Sequence, residues 1–179
     1  MLLVAYLNRA RGRPLRRAER ALLGPMIRRS DNAAASRVLA VVGTRGLGRV
    51  ARRAGMTRFV PVFDPWGISR ITAADQTRFF LAIDRLMPPR HRAYGMRLLE
   101  RIVPGQRWGI ARVRPPGWRL YFKGGWGSGT GWVDHQVALL TRGDERVSIA
   151  ILTQFDGSHA YGKETLRGIA KRLLRGLAR

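Results

Sequence analysis

The sequence predicts an α+β fold, with a helical lobe over residues 1–103 and a partial antiparallel sheet of about three strands over 104–179, closed by one helix. Three observations predict it. Apolar residues recur at helical spacing as far as Arg101, whereas strand-like runs are confined to 118–154. Those runs follow one another without an intervening helix, which favours antiparallel pairing. Helical spacing then returns through Leu166, Ile169, Ala170, Leu173 and Leu174. At 179 residues, 45% of them hydrophobic, the chain can bury one sizeable core shared by both lobes.

Each element has its own warrant. Met1–Leu7 is apolar and reads as a buried helix stopped by the Arg11-Gly12-Arg13-Pro14 turn. It has no basic residues before it and no small-residue cleavage site after it, so it does not read as a signal peptide. Residues 15–29 resume helix, with Leu15, Ala18, Leu22, Leu23 and Met26 on a helical period. Asp31 and Asn32 suit a helix start, followed by a small apolar helix over 33–42 and another over 47–54 that Gly55 closes. Residues 57–71 hold two prolines and a glycine and form an irregular loop, in which Asp64 makes a local turn bond and Trp66 borders the cleft. Thr72 caps a helix reaching about Leu86, and His91–Arg101 is a further helix. Trp118–Lys123, Trp132–Thr141 and Val147–Gln154 are strands, the last two joined by the Arg142–Glu145 turn. Trp126 falls on the loop after the first strand, and Val147–Gln154 presents an unpaired edge. The closing helix carries Arg167, Arg172, Arg175 and Arg179 on a solvated face.

Composition excludes several functions. There is no cysteine, hence no disulfide framework, and His91, His135 and His159 are too dispersed for a local metal motif. No cofactor motif is present, and no run of apolar residues is long enough to span a membrane. The net charge of +23 invites a nucleic-acid reading, but 31 of the 34 basic residues are arginines spread along the chain in runs no longer than two. Such scatter argues against specific nucleic-acid binding and for non-specific attraction to anionic polymers, including cell-wall and membrane phosphates.

Two short motifs carry the chemistry. Ser30-Asp31-Asn32 ends the second helical stretch, and Lys123-Gly124-Gly125-Trp126-Gly127 ends the first strand. Alone, the first is a helix cap and the second a strand end. Together, and with Ile71-Thr72-Ala73-Ala74-Asp75 opening a helix between them, the chain resembles the class A β-lactamase-like serine hydrolases, relatives of the penicillin-binding proteins. The resemblance implies the serine β-lactamase/DD-peptidase fold. It also implies acyl-serine chemistry on β-lactam or peptidoglycan-type amides and an extracytoplasmic location. It assigns Ser30 to proton relay and Lys123 to holding Ser30 and a substrate carboxylate. Asn32 would bind the substrate amide, Gly124 and Gly125 would let the strand approach the ligand, and the backbone N–H of Trp126 would form half of an oxyanion hole.

Three departures from that family stand out. Ser-x-x-Lys, which supplies the nucleophile and opens a hydrophobic helix, is missing: Leu120, Ala160 and Gly168 stand three residues before the only lysines. Met1–Leu7 resembles that helix just beyond the motif, so the expectation is an N-terminally truncated, inactive hydrolase domain. Gly124 stands where a hydroxyl residue would meet the carboxylate, and the 57–71 loop offers Asp64 but no glutamate to activate a deacylating water. The alternatives are a non-catalytic cell-wall or β-lactam-binding module and a basic nucleic-acid-binding protein. Asp134 and His135 are strand neighbours pointing to opposite faces and cannot form a dyad with each other, which leaves His135 a structural role.

Overall fold

A computed structural model describes residues 1–129 and 131–178; Arg179, assigned above to a solvated face, lies outside them. Helices α1 (Leu2–Arg9), α2 (Arg17–Arg28) and α3 (Asn32–Arg53) open the chain. Short α4 (Ala73–Leu81) and α5 (Ile83–Leu86) and then α6 (Pro89–Glu100) complete the helical part. Strands β1 (Arg119–Gly127), β2 (Val133–Arg142) and β3 (Glu145–Thr153) form one antiparallel sheet in that order, and α7 (His159–Leu173) closes the fold. The α+β architecture is the one that the periodicity predicts.

Local signals explain the helix starts. Asp31 accepts the amide of Ala34 at 2.8 Å and caps α3, so the cap of the Ser30-Asp31-Asn32 triplet is its aspartate and the serine is released for other contacts. Thr72 accepts the amide of Asp75 at 3.1 Å, and Ser158 caps α7 in the same way through Tyr161 at 3.2 Å. The two helices predicted over 33–54 are one element bent at Gly43, whose φ of +63° a Cβ would disfavour.

The predicted 57–71 loop holds a short 3-10 turn at Trp66–Ile68, whose indole N–H reaches Ser36 Oγ on α3 at 3.0 Å. Asp64 does not make the expected turn bond: it is exposed and its carboxylate has no hydrogen-bond partner among the described residues.

One core joins both parts of the chain. Leu7, Leu23, Leu39 and Phe79 are buried in the same cluster as Phe122, Leu139, Leu140 and Leu166. Each such side chain contributes about 1.5–3 kcal/mol. His91, fully inside, places Nε2 3.0 Å from the Ala10 carbonyl and ties α6 to the turn after α1. The α7 helix packs against β2, and α4 runs along β3 and β2.

The register pairs Lys123 with Val137, Trp126 with Asp134 and Gly127 with Val133, while Arg142 opposite Glu145 closes a two-residue turn. The strand therefore runs four residues past Lys123, and Trp126 stands on it rather than on a loop. Ladder pairing overrides the weak β-propensity of the glycines. Among the described residues β3 pairs only with β2. No described helix is long and apolar enough to cross a membrane.

Candidate active site

Ser30 lies in the turn between α2 and α3 with φ of +56°, a left-handed conformation that a non-glycine residue adopts only when its surroundings compel it. Gln106 does the compelling. Its amide donates to the Arg29 carbonyl at 2.8 Å, and its Oε1 accepts from Ser30 Oγ at 2.9 Å. The turn is further pinned where Val103 N–H reaches the Arg28 carbonyl at 3.1 Å. With its proton directed to Gln106, Ser30 Oγ turns a lone pair toward Lys123, whose Nζ donates to it in a short hydrogen bond. Two residues 93 positions apart thus meet.

Burial lowers the Lys123 pKa to about 8, so the ammonium is poised between charged and neutral near physiological pH. The Met1 amine is within electrostatic reach of Lys123. Burial first, and the Lys123 charge second, lower the Met1 α-amine to about 5. Nζ also stands 5.8 Å from the centre of the Trp126 ring, within cation–π range. Asn32 is exposed beside Ser30, and its amide makes no hydrogen bond to the described residues. A ligand could therefore use it.

The glycines after Lys123 are not equivalent. A Cβ on Gly124 would stand 3.1 Å from two ring carbons of Trp108, which fills the space a hydroxyl side chain would need. A Cβ on Gly125 would meet nothing within 4 Å, and alternation places it on the Lys123 face. Only Gly125 leaves room toward the cleft; Gly124 is a packing glycine as seen here.

Trp108, Gln106 and His159 escape sequence reasoning. Trp108 meets Trp126 edge-on at 5.7 Å and His159 at 5.3 Å, while His159 stacks on Trp126 at 5.5 Å. Asp134 Oδ1 lies 2.6 Å from His159 Nδ1 and fixes that ring. The buried Asp134 carboxyl is raised above the usual range, burial outweighing the stabilising His159 contact, with nearby Asp156 adding to the rise. Asp134 thus pairs with His159 and not with its neighbour His135, whose Nδ1 accepts from the Thr153 amide at 3.3 Å. The one sequence signal for this cluster is Asp134 at an inward strand position. No group of three or more histidine and carboxylate side chains among the described residues is placed to hold a metal.

Ser30, Lys123 and the Gly124–Trp126 end of β1 therefore lie together, with Asn32 exposed beside them. The arrangement holds a hydroxyl between a hydrogen-bond acceptor, the Gln106 amide oxygen, and a donor, the Lys123 ammonium.

The model of the β-lactamase enzyme family matches residues 16–177. No curated sequence matches the chain. Among solved structures, a class A β-lactamase from Mycobacterium abscessus is similar with a TM-score of 0.77 at 18% identity, over 99% of this chain and 82% of that one. A β-lactamase from Sphaerobacter thermophilus gives 0.76 at 21% identity, over 98% and 79% of the two chains. The chromosome-encoded β-lactamase of Vibrio parahaemolyticus gives 0.73 at 18% identity over 88% of this chain, which spans 64% of that enzyme's length. At such identities the likeness concerns the fold.

Proposed function

Because the chain belongs to the β-lactamase enzyme family, we propose that its cleft is the assisting half of an acyl-serine site for β-lactam or peptidoglycan-type amides. The contact between Lys123 Nζ and Ser30 Oγ carries the reading. In this reading Ser30 passes a proton to the leaving nitrogen, Lys123 holds Ser30 and the substrate carboxylate, and Asn32 and Gly125 receive the acyl-amide part. The backbone N–H of Trp126 polarises the scissile carbonyl. Gly124 turns its Cβ position to Trp108, so the carboxylate is held by Lys123 without a hydroxyl from position 124.

The nucleophile is the part not found among the 179 residues. The Met1 amine is near enough to feel the Lys123 charge, so in this reading a Ser-x-x-Lys segment leading into α1 would bring its serine and lysine toward the Ser30–Lys123 pair. Without such a segment these residues bind and do not turn over. A second reading, a non-catalytic β-lactam- or wall-peptide-binding module, rests on the same absence. Both readings place the protein outside the cytoplasm, where those substrates are.

Equilibrium binding of benzylpenicillin tests the shared core of both. The expected outcome is reversible binding that Lys123→Ala weakens about tenfold or more, the loss of one charged contact. An affinity that Lys123→Ala leaves unchanged would remove the cleft from the account.

A further inference from the structure

Away from Ser30 and Lys123 the surface carries two concavities lined by arginine, both reaching the end of α3. The larger, about 570 Å³, is bordered by Arg11, Arg53, Arg85, Arg90 and Arg92 over a floor that includes Met87 and Pro88. The other, about 430 Å³, is bordered by Arg45, Arg49 and Arg52 on the second half of α3, beside Pro61. Successive residues, Arg52 and Arg53, border one each, so the two open from the same end of α3.

We propose that these two grooves together bind a soluble chain of phosphate groups. Neither lining contains a carboxylate, and none of the eight arginines has a carboxylate partner among the described residues. Asp84, adjacent to Arg85, is engaged by Arg146 at 2.7 Å. Two of the guanidinium groups are instead aimed by neutral acceptors: Arg53 by Asn8 Oδ1 at 2.8 Å and Arg92 by the Asp84 carbonyl at 2.9 Å. Their orientation is fixed while their charge stays uncompensated.

The larger groove also receives the start of α6, whose dipole adds positive potential there. Arg45, Arg49 and Arg52 fall at helical spacing over about 10 Å of α3, which suits an extended anion with repeated charge rather than a single ion. Guanidinium forks match phosphate oxygens in pairs. Neither lining holds an aromatic ring, so a nucleic acid would find phosphate contacts but no stacking surface for its bases.

The net charge of +23 draws the protein to any polyanion, so the test separates grooves from charge. Arg11→Gln/Arg85→Gln/Arg90→Gln removes three exposed cations of the larger groove; Lys171→Gln/Arg172→Gln/Arg175→Gln removes three exposed cations elsewhere. Binding of end-labelled inorganic polyphosphate is followed by anisotropy from 50 to 300 mM salt. The groove variant is expected to lose tenfold or more in affinity and to shallow the salt slope by about 2–3, with less than a twofold loss in the control variant.

Equal losses in both variants would reduce the effect to net charge and overturn the proposal. Tighter binding of a single-stranded oligonucleotide of equal phosphate number would make nucleic acid the ligand instead. Groove-dependent binding to phosphatidylglycerol vesicles, with none to polyphosphate, would assign the grooves to a lipid surface.

Discussion

At Lys123 the balance between burial and two neutral acceptors, Ser30 Oγ and the Gly124 carbonyl, sets the chemistry. Its folded pKa of about 8 lies below the ordinary 10.5. Between those values the unfolded chain binds the proton and the folded one does not, so stability attributable to this residue rises as pH climbs through that window. Relative to Lys123→Met, the wild-type chain should gain at most about 3 kcal/mol between pH 8 and 10.5, read by chemical denaturation at each pH. A flat difference would mean that the ammonium is solvated. At Gly124 the controlling neighbour is Trp108. Gly124→Ser should cost about 1–3 kcal/mol of stability, and much of that cost should vanish in a Trp108→Leu background. The first number without the second would mean that the backbone, not the indole, resists the side chain.

At the scale of elements, the helices were legible because their causes are local: Asp31, Thr72 and the apolar spacing of 161–174 all act within a few residues. The motif residues Ser30 and Lys123 were legible through their types and order. Gln106, Trp108 and His159 were not, because each earns its place by a contact far along the chain: Ser30 to Gln106 spans 76 residues and Asp134 to His159 spans 25. Strand β1 ran past its predicted end for the same reason, since pairing with β2 outweighs the glycines.

In the first turn of α2, Glu19 shows what a local cluster contributes. It takes Arg13 at 2.7 Å, the Arg16 amide at 2.7 Å and the Tyr6 hydroxyl at 3.0 Å. These partners, Arg13 foremost, lower it from 4.5 to about 2. Its stabilisation is complete above pH 4.5 and is lost as pH falls through about 2. Glu19→Gln should therefore destabilise the protein at pH 7 by about 1.5–3 kcal/mol and by much less at pH 2, as thermal melts would report. Equal effects at both pH values would show that the contacts are geometric rather than ionic.

For the whole molecule, the sheet and the charge oppose each other. The edge of β3, unpaired among the described residues, invites pairing between copies, whereas a net charge of +23 repels them. Self-association should therefore increase with salt as the Debye length falls from about 10 Å at 0.1 M toward 3 Å at 1 M, measured by light scattering. A monomer at all salt concentrations that unfolds cooperatively would show that the edge is protected.

The central claim is that these 179 residues hold the assisting half of an acyl-serine site and not its nucleophile. Intact-mass spectrometry of the chain after incubation with a β-lactam tests it most directly. The account predicts an unmodified mass alongside reversible binding that depends on Lys123; a stable adduct of one β-lactam, mapped to Ser30 or any other serine of the chain, would contradict it.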